Sequence, residues 1–437
     1  MSSEPLLCGA KPRSLTGALC ALQNYSLLII HYSLLLIGGI MGFISERVQS
    51  VKPSPTLAID AKAKLLKQQG IDVVNFGAGE PDFDTPQNIK DAAIKAINAG
   101  FTKYCPVAGT PDLKNAVIEK LKKDNSLEYK PEEIIVSCGA KHSLYNLFQT
   151  VINEGDEVII PAPYWVSYPD MAILAGGEPV IINTGDKNNF KITPQILEKV
   201  ITSKTKALVL NSPSNPTGAT YSKEELEAIA DICVKNNILI ISDEIYEKLI
   251  YDGFQFASIA QVSQKAKDIT VVVNGVSKSY AMTGWRIGYA AGPKEIISGM
   301  EKIQSQSTSN ATSISLKAAA EALNGKQDDV EMMRKEFEKR RDYIVERLNN
   351  IKGITCLKPN GAFYVYPNIS ALLGKTYGGK TINTDMELAD YLLDTAKIAV
   401  VPGSAFGTQG YIRISYATSL KNIEEGINRL EAAVSGK

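Results

Sequence analysis

Short apolar runs rich in β-branched residues recur along the chain and alternate with amphipathic stretches. The runs IIVS, VII, ALVL, ILIIS and TVVVN have the length of strands, and patterns such as EELEAIADICVKN lie between them. This alternation predicts a mostly parallel sheet buried between helices, which is an α/β fold.

The pattern changes near Gly325. ISLKAAAEALNG predicts a helix that this glycine ends, and DDVEMMRKEFEKRRDYIVERLNN predicts a long amphipathic helix after it. Further on, ITCLKP, GAFYVYP, IAVVPG and YIRISYA predict the strands of a second unit. We therefore expect a large α/β domain over 89–321 and a small α+β domain built from 44–88 and 322–437, with the long helix connecting them.

An N-terminal extension over residues 1–43 differs from the rest of the chain. Its segment 27–43, LLIIHYSLLLIGGIMGF, has no Asp, Glu, Lys or Arg, but it is shorter than the roughly 20 apolar residues that span a membrane. It could be a signal or anchor behind Lys11 and Arg13, a transit segment, or non-native sequence before a true start at Met41. We favour the last interpretation and expect a cytoplasmic protein without a stable membrane partner.

Charge and composition argue against several classes of function and site. Lys and Arg total 47 and Asp and Glu also total 47, so no basic field argues for a nucleic-acid partner. The six cysteines form no C-x-x-C pair, which is typical of a reduced intracellular protein rather than a disulfide scaffold or a zinc site. Only two histidines are present, so we expect no metal centre and chemistry based on Lys, Asp, Tyr and Arg.

Three candidate ligand-binding features follow predicted strands, where open α/β sheets bind their ligands. Gly139, Ala140 and Lys141 lead from a strand into a helix, whose N-terminus can hold an anion such as phosphate. Trp165 follows a strand in a Pro-rich context that suits a stacking surface. Asn215 opens the turn NPTG and can point its amide inward. Each feature alone is also explained by an ordinary turn or a core tryptophan.

Two further strand ends carry ionisable groups. Asp243 ends the run ILIIS and Tyr246 follows one helical turn later, so the carboxylate could be a helix cap or the partner of a buried cation. Lys278 follows TVVVN beside Ser277, and Arg286 lies in a Gly-bracketed turn after it. A lysine at a strand end among small residues can be a desolvated nucleophile, although most lysines are surface charges. Together with the three features above, this set matches the needs of pyridoxal phosphate.

At this point a family resemblance is evident. GAGEPDFDTP, PYWVSYP, NPTG, SDEIY, SKSYAMTGWRIGYA and YIRISYATS occur in one order over essentially residues 44–433. They resemble the class I pyridoxal-phosphate aminotransferases of the aspartate aminotransferase type, in particular the bacterial subgroup that includes aspartate/prephenate aminotransferases. The resemblance implies fold type I, with a seven-stranded, mostly parallel sheet, and a homodimer with shared active sites.

The resemblance also implies roles around the cofactor ring. Lys278 would form the Schiff base and move the substrate proton, and Asp243 would pair with the pyridine nitrogen. Tyr246 and Asn215 would hydrogen-bond the 3′ oxygen of the ring, and Trp165 would stack on its face. We expect Trp165 and Asn215 to contact the substrate as well.

The phosphate group would be held by several residues at once. The resemblance assigns this role to Arg286 and Ser277 together with the turn Gly139, Ala140 and Lys141. Tyr104, in FTKYCPVAGT, matches a tyrosine that reaches the phosphate from the neighbouring subunit. The neighbouring Cys138 has no assigned role.

Substrate recognition follows from the same comparison of motifs. Arg413 would clamp the α-carboxylate with help from the backbone of Gly79, and Phe363 would line the pocket. Animal-type enzymes use a partner arginine for the distal carboxylate, but IQSQSTSNATS contains none. Lys141 is therefore our candidate for that carboxylate, and Thr56 matches a position near the same pocket.

The resemblance implies transfer of the amino group of aspartate to 2-oxoglutarate by a ping-pong mechanism, with amino acids and 2-oxo acids as the partners. Glutamate with prephenate is a further substrate pair that the sequence leaves open, and so is an aromatic or broad-specificity aminotransferase. Two other classes compete. GKTYGGKT, at 374–381, fits the P-loop pattern of an ATP-binding protein, and some regulators carry this fold beside a DNA-binding domain. The sequence favours neither, because NISALLGK precedes the P-loop pattern in place of a strand, INTD separates Thr381 from the next helical run, and the N-terminal segment is apolar.

Overall fold

A computed structural model describes residues 43–435. The chain divides into two compact units, one ending at Lys52 and the other beginning at Pro53. The described part of the first contains the short helix Glu46–Gln49. Most of the predicted N-terminal extension, including Met41, lies outside the described residues. Within 43–435, no helix is long and apolar enough to cross a membrane.

Strands and helices alternate through the first three quarters of the described chain. The strands are, in chain order, β1 (Val74–Asn75), β2 (Ile134–Ser137), β3 (Glu157–Ala162), β4 (Glu178–Asn183), β5 (Thr205–Asn211), β6 (Leu239–Asp243), β7 (Thr270–Gly275), β8 (Gly288–Ala291), β9 (Tyr364–Val365), β10 (Lys375–Tyr377), β11 (Lys380–Ile382), β12 (Ile398–Ala399), β13 (Val401–Pro402) and β14 (Ile412–Ser415). The α-helices from residue 53 onward are Pro55–Gln68, Gln87–Asn98, Pro111–Asn125, Ala140–Val151, Ser167–Leu174, Pro194–Val200, Lys223–Asn236, Gln264–Asp268, Lys294–Ser305, Ser313–Asn324, Asp328–Asn349, Asp385–Tyr391 and Leu420–Val434.

The main sheet has seven strands in the order β2-β8-β7-β6-β5-β3-β4. All neighbouring pairs are parallel except those of β8, which runs antiparallel to both β2 and β7. The five apolar runs of the sequence form β2, β3, β5, β6 and β7. The predicted α/β fold with a seven-stranded, mostly parallel sheet is confirmed.

Smaller sheets occupy the C-terminal part of the chain. β13, β14 and β9 form an antiparallel sheet, and β1 pairs with β12 in parallel. The segment ITCLKP was expected to be a strand, but this expectation is wrong. Only Thr355 forms a bridge there, to Asn368, and Pro359 soon follows and has no N–H for a ladder.

The long predicted helix extends from Asp328 to Asn349. Its first turns contribute Val330 to the apolar cluster around helix Ser313–Asn324. Farther along, Phe337 and Leu348 belong to a cluster formed mainly by the C-terminal segment. One helix thus takes part in two cores. The boundaries of a large domain at 89–321 and a small domain at 44–88 and 322–437 stay a prediction.

The segment that matches the P-loop pattern is a β-hairpin. β10 and β11 pair with Tyr377 opposite Lys380, which leaves Gly378 and Gly379 as a two-residue turn. Their φ angles are 54° and 80°, the left-handed values that a turn of this kind needs and that glycine adopts without strain. Because Lys380 lies in an exposed strand and not at the start of a helix, the geometry removes the ATP-binding alternative.

Candidate active site

A cavity of about 470 Å³ lies beyond the carboxyl ends of β5, β6 and β7. Most of the residues singled out in the sequence meet there. Those that line the cavity are Thr56, Gly79, Ala140, Lys141, Trp165, Asn215, Asp243, Tyr246, Ser277, Lys278, Arg286 and Arg413. In the described part of the chain, no cluster of His, Cys, Asp and Glu is arranged to hold a metal ion.

Three of the selected residues do not line the cavity. Gly139 lies just behind it, where a Cβ would meet Arg286 Nη2 at 2.3 Å, so only glycine allows the guanidinium this close. Phe363 is completely buried against the Tyr246 ring. Its neighbour Tyr364 lines the cavity instead, because adjacent strand residues face opposite sides. Tyr104 is 92% exposed and does not line the cavity, and its contribution to a neighbouring subunit stays a prediction.

Asp243 ends β6 and is buried at the floor of the cavity. Its Oδ2 accepts a hydrogen bond from Tyr168 Oη at 2.6 Å, and its Oδ1 accepts one from the Ile245 N–H at 3.3 Å. Burial raises the pKa of Asp243 to about 6, although both hydrogen bonds act to lower it. No helix follows, because residues 245–248 form a turn. The carboxylate therefore caps no helix and is available to a cation in the cavity.

The hydrogen bond from Tyr168 leads to a pH prediction. It stabilises the charged form of Asp243, so Tyr168→Phe should raise the carboxyl pKa further. A raised carboxyl pKa means that protonation begins at a higher pH as the solution is acidified. The acid limb of kcat/KM should move upward by the same amount.

The check is a pH profile of Tyr168→Phe beside Tyr164→Phe. Tyr164 belongs to the same segment but makes no hydrogen bond to Asp243. An equal shift in both variants, or none in Tyr168→Phe, would contradict the assignment.

Lys278 lies in the loop after β7, with its amine inside the cavity. Nζ donates to the Gly79 carbonyl at 2.5 Å and lies 6.0 Å from the centroid of the Tyr246 ring. Tyr246 Oη in turn shares a 2.9 Å hydrogen bond with Tyr364 Oη. Burial lowers the pKa of Lys278 to about 8. A larger fraction of the amine is then neutral near physiological pH, which suits a nucleophile or a base.

The antiparallel course of β8 brings Arg286 back to the same end of the sheet. Its backbone has a φ of 56°, and its guanidinium donates to the Thr283 carbonyl at 2.8 Å and the Cys138 carbonyl at 3.4 Å. Gly288 packs so closely on the first turn of helix Ala140–Val151 that a Cβ would lie 2.1 Å from the Ala140 nitrogen. Arg286 thus lies beside a helix N-terminus, a combination that favours an anion.

Arg413 projects from β14 and is buried. Nη1 donates to Asn215 Oδ1 at 3.1 Å and Nη2 donates to the Gly77 carbonyl at 2.7 Å. Its guanidinium carbon lies 4.7 Å from the centroid of the Tyr364 ring. Among the described residues, Nε has no hydrogen-bond partner, and burial lowers the pKa of the group. A buried guanidinium with an unmet donor is suited to bind a carboxylate.

Lys141 and Thr56 face the cavity from different elements. Lys141 Nζ lies 4.8 Å from the centroid of the Trp165 ring, and burial together with Arg286 lowers the pKa of this lysine. Thr56 Oγ1 shares a 3.0 Å hydrogen bond with Ser54 Oγ at the start of helix Pro55–Gln68. The cavity therefore also presents the Lys141 ammonium and the hydroxyl groups of Thr56 and Ser54 to a ligand.

Sequence reasoning missed several residues that organise this site. Asn211, the last residue of β5, donates to the Asp243 carbonyl at 2.9 Å and accepts from the Asn215 N–H at 2.8 Å. Its place at a strand end was a usable signal. Tyr168 and Tyr364 had no such signal, because their importance depends on contacts between distant segments.

Comparisons with known proteins agree with this geometry. The profile of the family described as aminotransferase class I and II matches residues 71–430. An aspartate aminotransferase of Bacillus sp. (strain YM-2) is 58% identical over 391 residues, which cover 90% of this chain and 99% of that protein. A probable aspartate/prephenate aminotransferase of Rickettsia bellii is 54% identical over 395 residues, covering 90% and 99%.

Solved structures are similar over the same extent. The aspartate aminotransferase of Rhizobium meliloti superposes with a TM-score of 0.87 at 45% identity, covering 90% of this chain and 98% of that one. The aspartate aminotransferase of Thermus thermophilus with maleate gives 0.84 at 45% identity, covering 89% and 99%. The resemblance read from the motifs is confirmed. The chain belongs to the aminotransferase class I and II family and is a transaminase.

Proposed function

We propose that this transaminase uses pyridoxal phosphate to move the amino group of aspartate to 2-oxoglutarate in a ping-pong reaction. The observation that carries the proposal is the meeting of Lys278, Asp243 and Arg413 around one cavity. An amine, a buried carboxylate and a buried guanidinium are the groups that the cofactor and an amino-acid substrate require. The names of the similar proteins, aspartate and aspartate/prephenate aminotransferases, support the same substrate class.

The residues of the cavity fit the cofactor. Gly139 leaves the space in which Arg286 lies against the helix N-terminus, and this cradle with Ser277 would hold the phosphate. Asp243 would hold the ring nitrogen in its protonated form, and Asn215 with Tyr246 would bond the ring oxygen. Lys278 would bind the cofactor covalently. When bound, pyridoxal phosphate supplies an electron sink for the negative charge that develops at the substrate Cα.

Side chains of the protein would bind the substrate, transfer its proton and stabilise charge. Arg413 fixes the substrate α-carboxylate, and Asn215 holds one edge of that guanidinium. Lys278, with its lowered pKa, removes the proton from the substrate Cα through Nζ. The Gly79 carbonyl holds this amine by a 2.5 Å hydrogen bond. Asp243 keeps a negative charge at a buried position, where it stabilises positive charge strongly.

Lys141 is proposed to bind the distal carboxylate of aspartate. It projects into the cavity beside Trp165, and none of the ion pairs of the described residues involves it. Lys141→Ala should lower kcat/KM for aspartate by about tenfold or more, the cost of a charge-assisted contact. With phenylalanine as donor, which has no distal carboxylate, the loss should be within about threefold.

Rates of both donors with the wild type and the variant check this role. Equal losses for both donors would mean that Lys141 serves only the cofactor phosphate.

The visible absorbance of the purified protein tests the proposed function itself. A yellow protein whose band shifts on adding aspartate without any oxo acid supports the cofactor and the first half-reaction together. Adding 2-oxoglutarate should then restore the band. A screen of oxo acids that includes prephenate would identify the acceptors. Absence of a band after pyridoxal phosphate is added to folded protein would overturn the proposal.

We further propose a cytoplasmic homodimer with shared active sites. The exposure of Tyr104 supports the dimer, since its family position reaches the phosphate of a neighbouring subunit.

A further inference from the structure

A chain of hydrogen bonds leads from Arg413 to helix Pro55–Gln68. Arg413 Nη2 donates to the Gly77 carbonyl at 2.7 Å. The N–H of the same glycine donates to Asn75 Oδ1 at 2.9 Å. One side chain on β1 therefore fixes the residue whose carbonyl meets the guanidinium.

The other end of the Asn75 amide is fixed as well. Nδ2 donates to Asp60 Oδ1 at 2.7 Å, and Asp60 Oδ2 pairs with Lys64 Nζ at 2.7 Å. Both partners lie on helix Pro55–Gln68, and both line the cavity. A reversed amide would set N–H against N–H at Gly77 and oxygen against oxygen at Asp60, so only one orientation satisfies both ends.

We propose that Asn75 is a positioning residue for Arg413: it holds Gly77 so that its carbonyl orients the guanidinium for the substrate α-carboxylate. The proposal rests on the proposed role of Arg413 in substrate binding. Asn75 does not line the cavity, so it acts through its neighbour and not by touching the substrate. Asp60 supports it by fixing the amide from the helix.

The packing around Gly77 explains why its hydrogen bond to Asn75 affects the position of Arg413. A Cβ there would lie 3.3 Å from Asn75 Oδ1 and 3.5 Å from Ile59 Cγ2, so the backbone is closely packed on the helix side. Without the amide, Gly77 loses its hydrogen bond and can move away from that side. Arg413 is held by two acceptors in the described structure, Gly77 and Asn215. If the Gly77 carbonyl moves out of line with Nη2, the buried guanidinium can rotate, which weakens a bidentate contact with a carboxylate.

The test compares two donors with the cofactor-loaded enzyme. Aspartate carries an α-carboxylate, whereas 3-aminopropanoate has an amine and a distal carboxylate only. Asn75→Ala should raise the aspartate concentration that half-saturates the first half-reaction by about five- to tenfold, the loss of a typical hydrogen bond. Its maximal rate should stay within about twofold, and kcat/KM for 3-aminopropanoate should not change.

A matched control separates positioning from general loosening. Asn349 also fixes a backbone through both ends of its amide, donating to the Cys356 carbonyl at 3.0 Å and accepting from the Cys356 N–H at 2.9 Å. It does not line the cavity. Asn349→Ala should leave the preference between the two donors unchanged. If Asn75→Ala behaves in the same way, or slows both donors equally, the inference is overturned.

A double-variant cycle separates this inference from the role of Arg413. Arg413→Lys should weaken aspartate selectively, and Asn75→Ala should then add little, because it acts through that arginine. If Arg413→Lys affects both donors equally, the proposed role of Arg413 fails. If Arg413→Lys is selective and the two effects multiply fully, only the role of Asn75 fails.

Asp60→Ala keeps the test decisive if Asn75→Ala does not fold. It removes the acceptor for Nδ2 at a partly exposed position and leaves the bond to Gly77. We expect a two- to threefold selective weakening of aspartate. An unchanged donor preference in Asp60→Ala would then overturn the inference.

Discussion

Lys278→Ala should reduce kcat by at least about 10⁴-fold, because it removes both a nucleophile and a general base. The amine lies inside the cavity, where burial lowers its pKa to about 8. Among the residues that the structure describes, no other amine is placed in the same way, since Lys141 lies against Trp165 and Lys64 pairs with Asp60. We therefore expect no substitute within the described part of the chain.

Single-turnover absorbance with aspartate measures this loss directly. Added methylamine should restore part of the rate in Lys278→Ala, because a small free amine can enter the space of the missing side chain and take the Cα proton. Lys141→Ala, treated in the same way, should show no such rescue. Turnover near the wild-type level in Lys278→Ala would refute the central assignment.

Asp243→Asn should lower kcat by about 10²- to 10³-fold, the usual cost of removing one preorganised charge from an active site. The amide keeps the shape of the carboxyl and can still accept from Tyr168, so the change isolates the charge. Burial raises the pKa of Asp243 to about 6 when no cation lies beside it, and a protonated ring nitrogen would lower that pKa, so the carboxylate is ionised at neutral pH. Wild-type activity should fall only as the pH drops below about 6.

The variant and the wild type should therefore differ in their pH dependence as well as in rate. Steady-state kinetics from pH 5 to 8 should show an acid limb in the wild type and none from this group in Asp243→Asn. Asp243→Glu serves as the control, since it keeps the charge and should lose less activity. A change in KM alone, with kcat intact, would contradict a role in charge stabilisation.

The strands that the sequence predicts well are those with an uninterrupted apolar signal. IIVS became β2 without a shift, because both faces of that strand are buried. β8, with the sequence GYAA, was missed since small residues carry little strand preference. β4 was missed because it lies at the sheet edge and several of its residues remain accessible.

The residues of the site also divide into those that a local sequence pattern can locate and those that it cannot. Asp243 and Lys278 could be selected because they stand at strand ends, which a sequence pattern locates. Tyr168 could not, because its hydroxyl meets Asp243 from a helix that precedes it by 75 residues. Asn75 could not either, since its partners Asp60 and Gly77 come together only when the helix packs beside β1. Hydrogen bonds between segments depend on tertiary geometry and leave no local periodicity.

The reversal of direction at β8 has a consequence for how this site can change. If β8 ran parallel to β7, the connection between them would have to cross to the opposite end of the sheet. Because β8 is antiparallel to β7, residues 276–287 leave the sheet and return to it at the same end. Lys278 and Arg286 therefore lie in a single short loop, and the length of this loop sets the distance between the amine and the guanidinium. Insertions or deletions there would alter the spacing of both anchors at once. Variation in substrate choice is easier to accommodate in separate segments, such as helix Pro55–Gln68.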